Sequence, residues 1–222
     1  MEGSIILIAT IAAFVAIGIY MLVRILKGPK LPEGHQFVAE HKGNKAIVII
    51  DKNLEGAIKN KDGSVISWVL NGKFYYGNDL AIKCAKAIKA TELAFKEKGV
   101  EKADVSEVVF LFSTDATFEA GSKWWQAWAA GAAAYSTELV GDFRIKVLPM
   151  AVIRTKYIKT VSERGQPAIH ELVHLLNKQA NGDYSHSHTD PKLWLGPGGT
   201  GSVEGIGVQK WKEIVGTPDD QN

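Results

Sequence analysis

Uncharged residues run unbroken from Gly3 to Val23, as GSIILIATIAAFVAIGIYMLV. About 20 apolar residues at ~1.5 Å each match the ~30 Å hydrocarbon core of a bilayer. The start is acidic at Glu2 and the run stops at Arg24 and Lys27. That pattern fits an uncleaved single-pass anchor better than a cleaved signal peptide, which starts basic and has a shorter apolar core. A buried core helix would keep one polar face, and this run keeps none.

After the anchor and its basic flank (residues 1–30) the pattern changes. KGPKLPEGH is rich in Pro and Gly, and residues 31–44 are expected to be a linker. KAIVIID (Lys45–Asp51) is a β-branched run that predicts a buried strand. SVISWVLNGKFYYG holds two β-prone runs split by Asn71-Gly72, the residues a type I′ hairpin turn requires. A helix is expected next, capped by Asn78 or Asp79, apolar at Leu80, Ile82, Cys84, Ala85, Ile88 and Phe95, and ended by Gly99. EVVFLF (Glu107–Phe112) predicts a strand. SKWWQAWAAGAAAY (Ser122–Tyr135) predicts a core helix with Trp124, Trp128, Gly131 and Tyr135 on one face. FRIKVLPMAVIRT (Phe143–Thr155) predicts another strand, with Pro149 at a bulge or an edge. Pro167 suits the first turn of a helix that Asn181-Gly182 would end, and residues 217–222 form a polar tail.

Charge narrows the partners. The chain has 222 residues, enough for one folded domain and an appendage. Of 26 basic and 24 acidic residues, Arg24, Lys27, Lys30 and Glu2 lie in the first 30, leaving 23 of each sign in the rest. Balance of that kind excludes the basic field of a nucleic-acid binder. The basic flank after the span places the large domain on the cytoplasmic side, or on the inner side of a virion membrane. Cys84 is the only cysteine, so no internal disulfide can form.

Four of the six histidines fall between His170 and His188, in HELVHLLNKQANGDYSHSH. His170-Glu171-Leu172-Val173-His174 is an H-E-x-x-H. On a helix, residues four apart share a face, so both imidazoles reach one ion. Glu171 stands beside them as the expected general base. Zinc suits three protein ligands and one open position, where it lowers the pKa of its water toward ~7. Ile169, Leu172, Val173, Leu175 and Leu176 give this helix an apolar back.

AIHELVHLL resembles the active helix of the zincin metallopeptidases, over residues 166–190. Metzincins add a glycine and a third histidine where this chain has Asn177 and Ala180, so it is not one of them. Gluzincins use a downstream glutamate, and neither Glu204 nor Glu213 sits in a convincing motif. GDYSHSHTDP is similar instead to the Gly-Asp and His-x-Asp of small zincin-like proteins, some from phages. The resemblance implies a third ligand at His188 or Asp190. His188 ranks first because imidazole is the commoner zinc ligand, with Asp190, His186 and Asp183 as alternatives. Asp190 would otherwise orient a ligand histidine. Tyr184 would either donate a hydrogen bond to the oxyanion or serve packing.

The resemblance also implies an α+β fold, a mixed sheet packed on helices, with an edge strand that holds an extended peptide above the metal. Phe143–Thr155 is the expected edge strand, and residues 45–216 the expected domain. LGPGGTGS (Leu195–Ser202) lacks the end of a P-loop and is expected to be a flexible loop beside the metal. H-E-x-x-H lies far from the span, amid Lys159, Glu163, Arg164 and Lys178, which excludes an intramembrane protease. The expected function is a membrane-anchored zinc metallopeptidase. Its substrate would be a peptide bond in a protein near the membrane or in a peptidoglycan cross-bridge. The alternative is a non-catalytic structural protein of a virion or membrane complex, built on the same scaffold.

Overall fold

A computed structural model of the chain describes residues 14–19, 33–103, 105–121, 131–140, 143–183 and 188–216. The chain divides into two units, Met1–Pro32 and Glu33–Asn222. In the first, residues 14–19 are helical, and Phe14, Val15, Ile17 and Ile19 are exposed. Among the described residues no helix is long and apolar enough to cross a membrane. Most of the expected span at 4–26, and all of the tail at 217–222, lie outside the described residues.

The second unit opens with β1 (His35–His41), paired antiparallel with β2 (Asn44–Ile50). The turn between them uses Lys42 and Gly43 at positive φ. Half of the expected linker, residues 35–41, is therefore a strand. Its exposed Gln36, Val38 and Glu40 alternate with half-buried Phe37 and Ala39, the period of two that marks a one-sided strand. A second sheet has β3 (Ala57–Lys59), β4 (Val65–Leu70) and β5 (Lys73–Tyr76) in sequence order. Asn71 and Gly72 join the last two at φ 51° and 75°, as their pairing in sequence predicts.

Helix α1 (Gly77–Glu97) begins one residue before the expected caps. Tyr76 holds the cap position without a side-chain hydrogen bond, and Asp79 pairs with Lys83 at 2.8 Å instead. The Phe37 ring packs so close to Gly77 that any Cβ there would collide with it. The helix ends before Gly99, as expected.

The main sheet continues through β6 (Glu107–Ser113), then α2 (Asp115–Gly121), β7 (Gly131–Val140) and β8 (Phe143–Arg154). Its order is β1-β2-β6-β8-β7. β2, β6 and β8 are parallel, while β1 and β7 run antiparallel at the two edges. The sheet is mixed, and two expectations about it need correction. Residues 131–135 belong to β7, not to a helix, and residues 122–130 lie outside the described residues. GAAAY favours a helix locally, but pairing from Gly131↔Ile153 to Tyr135↔Pro149 overrides that preference. Phe143–Arg154 is an interior strand between β6 and β7, and β7 is the edge. Pro149 does mark an irregularity. The register with β7 shifts between Tyr135 and Thr137, and pairing with β6 starts only at Met150.

A 3₁₀ turn at Thr155–Tyr157 leads into α3 (Ile158–Arg164), α4 (Ala168–Asn181), the single turn α5 (Leu195–Gly198) and α6 (Val203–Gly216). Helix α1 packs on β1, β2, α4 and α6, and α4 also packs on β7 and β8. The core therefore lies between sheet and helices, with Val48, Ile50, Ile88, Phe110, Phe112, Ile153, Leu172 and Trp211 all buried.

Candidate metal centre

Helix α4 is framed by two left-handed glycines, Gly165 before it and Gly182 at its end. Ile169, Leu172, Val173, Leu175 and Leu176 are fully buried, which fixes the helix and turns His170 and His174 toward one site. Asn177 stands where a metzincin has glycine. Its Nδ2 donates to the Asp183 carbonyl at 2.8 Å, and Asn181 Nδ2 donates to Asn177 Oδ1 at 2.8 Å. Asn177 thus ties the last turns of α4 to Asp183.

His188 has a φ of 49°. A histidine in this left-handed region is uncommon, and such conformations gather at functional sites. Its Nε2 lies 3.2 Å from His170 Nε2 and 3.0 Å from His174 Nε2. The donor atoms of all three lie within 4.8 Å of one another, and the three histidines form a group that can hold a metal ion. Imidazoles bound to zinc at ~2.0–2.1 Å in a tetrahedron have nitrogens about 3.3 Å apart. The two separations from His188 are close to that value. Trp194 is buried, and its ring packs 4.8, 4.5 and 4.7 Å from the rings of His170, His174 and His188.

The remaining polar groups explain the orientation. Glu204, buried in the first turn of α6, has Oε1 3.2 Å from His170 Nδ1. The same oxygen accepts from Gln166 Nε2 at 3.2 Å, and Oε2 accepts from the Leu195 amide at 2.8 Å. Burial pushes the Glu204 carboxyl up, but its hydrogen bonds from His170, Leu195 and Gln166 and the His170 charge hold it below the ordinary glutamate value. An ionised Glu204 only accepts, so His170 donates from Nδ1 and turns the Nε2 lone pair inward. His188 Nε2 then offers at most one proton to two facing nitrogens. Burial works against a charged His170, yet Glu204 and the Glu171 charge raise its pKa above the ordinary value. Glu171 is 3% exposed. Burial is the main cause that pushes its carboxyl up to about 7; the His170 charge opposes this and the Glu204 charge adds to it.

Several expected residues lie elsewhere. Asp190 does not join the group. Its Oδ1 accepts from the Lys192 amide at 2.9 Å, and its carbonyl accepts from Leu193 and Trp194 at 3.1 Å. It closes a turn that leads to Trp194. Asp183 is exposed, and His186 and Tyr184 lie outside the described residues. Leu195–Ser202 is not a loose loop. Gly198 sits against the Pro191 carbonyl and Gly205 against the Gly199 carbonyl, closer than any Cβ allows. Gly198 within the segment, and Gly205 just after it, serve tight approach. Ser202 Oγ then accepts from the Gly205 amide at 3.1 Å and caps α6.

Sequence reasoning weighed Glu204 only as a gluzincin-type ligand and set it aside, and it passed over Gln166 and Trp194. The available signal for Glu204 was a single acidic residue among Val203, Gly205 and Ile206, directly after a capping Ser202. No family model, no curated protein and no solved structure matches the chain.

Proposed function

We propose that the chain is a single-pass, membrane-anchored zinc metallopeptidase whose domain faces the cytoplasmic side. The convergence of three imidazole Nε2 atoms on one point, beside the buried Glu171, carries this reading. His170, His174 and His188 would hold the ion. Zinc, when bound, supplies a Lewis acid that polarises the scissile carbonyl and acidifies water. Glu204 fixes the ring of His170, with Gln166 and the Leu195 amide holding the carboxylate in place. Glu171 takes the proton from the attacking water and returns it to the leaving amine. β7 is an antiparallel edge beside α4, and its free backbone groups suit an extended peptide. The substrate class is a protein segment near the membrane; a peptidoglycan cross-bridge is the counterpart if the domain faces outward.

The test compares the zinc-loaded full chain with Glu171→Gln on peptide, protein and cell-wall substrates. The variant should keep its zinc and lose about 10²–10⁴-fold in hydrolysis rate. Equal turnover in both proteins would exclude Glu171 as the base. Bound zinc without Glu171-dependent hydrolysis would leave a metal-stabilised structural scaffold.

A further inference from the structure

One apolar surface is not used by the site. Cross-strand pairing sets Ile58, Ser67 and Tyr76 in one row of the small sheet and Val69 opposite Phe74 in the next. These residues share a face. Phe74 is 59% exposed, Tyr76 54% and Val69 37%. The opposite face carries Trp68 and Tyr75, both buried in the core. Ser67 and Val65 on the same face as Val69 are buried, so its uncovered apolar part is the edge at Val69, Phe74 and Tyr76.

The chain enters the domain beside this sheet. The rings of His35 and Phe37 at the start of β1 each lie 5.8 Å from Trp68. Residues 27–34, between the expected span and β1, are eight in number and reach at most about 28 Å. Three side chains also fall far short of the about 20–30 residues a side that a stable dimer buries. Aromatic residues favour the boundary between headgroups and acyl chains.

We propose that the edge formed by Val69, Phe74 and Tyr76 rests in the headgroup–acyl boundary of the bilayer that holds the anchor. The inference rests on the anchored reading above. Residues 55–79 carry Lys59, Lys61 and Lys73 against Glu55, Asp62 and Asp79, so the contact is apolar rather than electrostatic. It forms on zwitterionic lipid and survives high salt.

The test uses the full chain in phosphatidylcholine nanodiscs with a nitroxide at Phe74→Cys or, as control, Lys96→Cys. Cys84 is fully buried and burial pushes its thiol pKa up, so it does not compete for label. Lys96 lies near the far end of α1, about 28 Å along the helix from Gly77. The label at position 74 should be several-fold less accessible to a water-soluble nickel chelate than the label at 96, with no change at high salt. Chains retained in the disc with equal accessibility at both positions overturn the docking face and leave the anchor standing. Chains not retained overturn the anchor and the docking face together. Shielding in two-chain discs but not in one-chain discs assigns the face to a second copy, and also overturns it.

Discussion

Glu204 decides how His170 presents its lone pair. Its carboxylate touches Nδ1, the nitrogen that faces away from the imidazole group. Glu204→Gln keeps an acceptor there but loses the charge. Competition titration against a chromophoric chelator should show zinc affinity falling about 10–100-fold, with a shifted spectrum of the cobalt-substituted protein. Unchanged affinity and spectrum would remove Glu204 from this role. The residue scale also shows which parts of the site were readable. His170 and His174 sit four apart on one helix, so local spacing reveals their shared face. Glu204 lies 34 residues from His170, and only packing of α6 brings it there. His188 and Asp190 both offer ligand atoms. Only His188 joins the imidazole group, while an Asp190 carboxylate oxygen accepts from the Lys192 amide in a turn that residue type alone does not reveal.

At the scale of elements, strands with strong β signals were legible and those without were not. β2, β4, β5 and β6 combine β-branched and aromatic residues with turn glycines. β7 opens with Gly and three alanines, and its pairing with β8 makes it a strand. β1 hid behind Pro- and Gly-rich sequence, and its partner β2 is what holds it. One acid joins elements at the end of β2. Asp51 Oδ1 accepts from the Asn53 amide at 2.9 Å, and Oδ2 accepts from the Thr114 amide at 3.2 Å and its hydroxyl at 3.0 Å. Burial pushes this carboxyl up, but hydrogen bonds from Asn53, Thr117 and Thr114 outweigh it, and the net shift is downward. A lowered folded pKa stabilises the fold above the unfolded value of about 3.9, and that stability is lost as pH falls through the folded value. Urea unfolding of Asp51→Asn should therefore show a loss of about 2 kcal/mol at neutral pH. The gap from the parent should narrow below about pH 3.9. A gap that stays constant into strong acid would contradict the assignment.

For the whole molecule, one helix and one loop must meet for a metal to bind, and the rest of the domain holds them there. The sheet backs α4, α6 delivers Glu204, and Trp194 packs on all three imidazole rings. A ligand that binds only the folded state at 100 times its Kd adds about 2.7 kcal/mol of stability. The most direct test is metal analysis of the purified full chain, combined with X-ray absorption at the metal edge. The account predicts one zinc per chain with three imidazole nitrogens at about 2.0–2.1 Å. It also predicts loss of that zinc in His170→Ala and His188→Ala. A chain that takes up no zinc, or keeps it at full stoichiometry in both variants, would contradict the account.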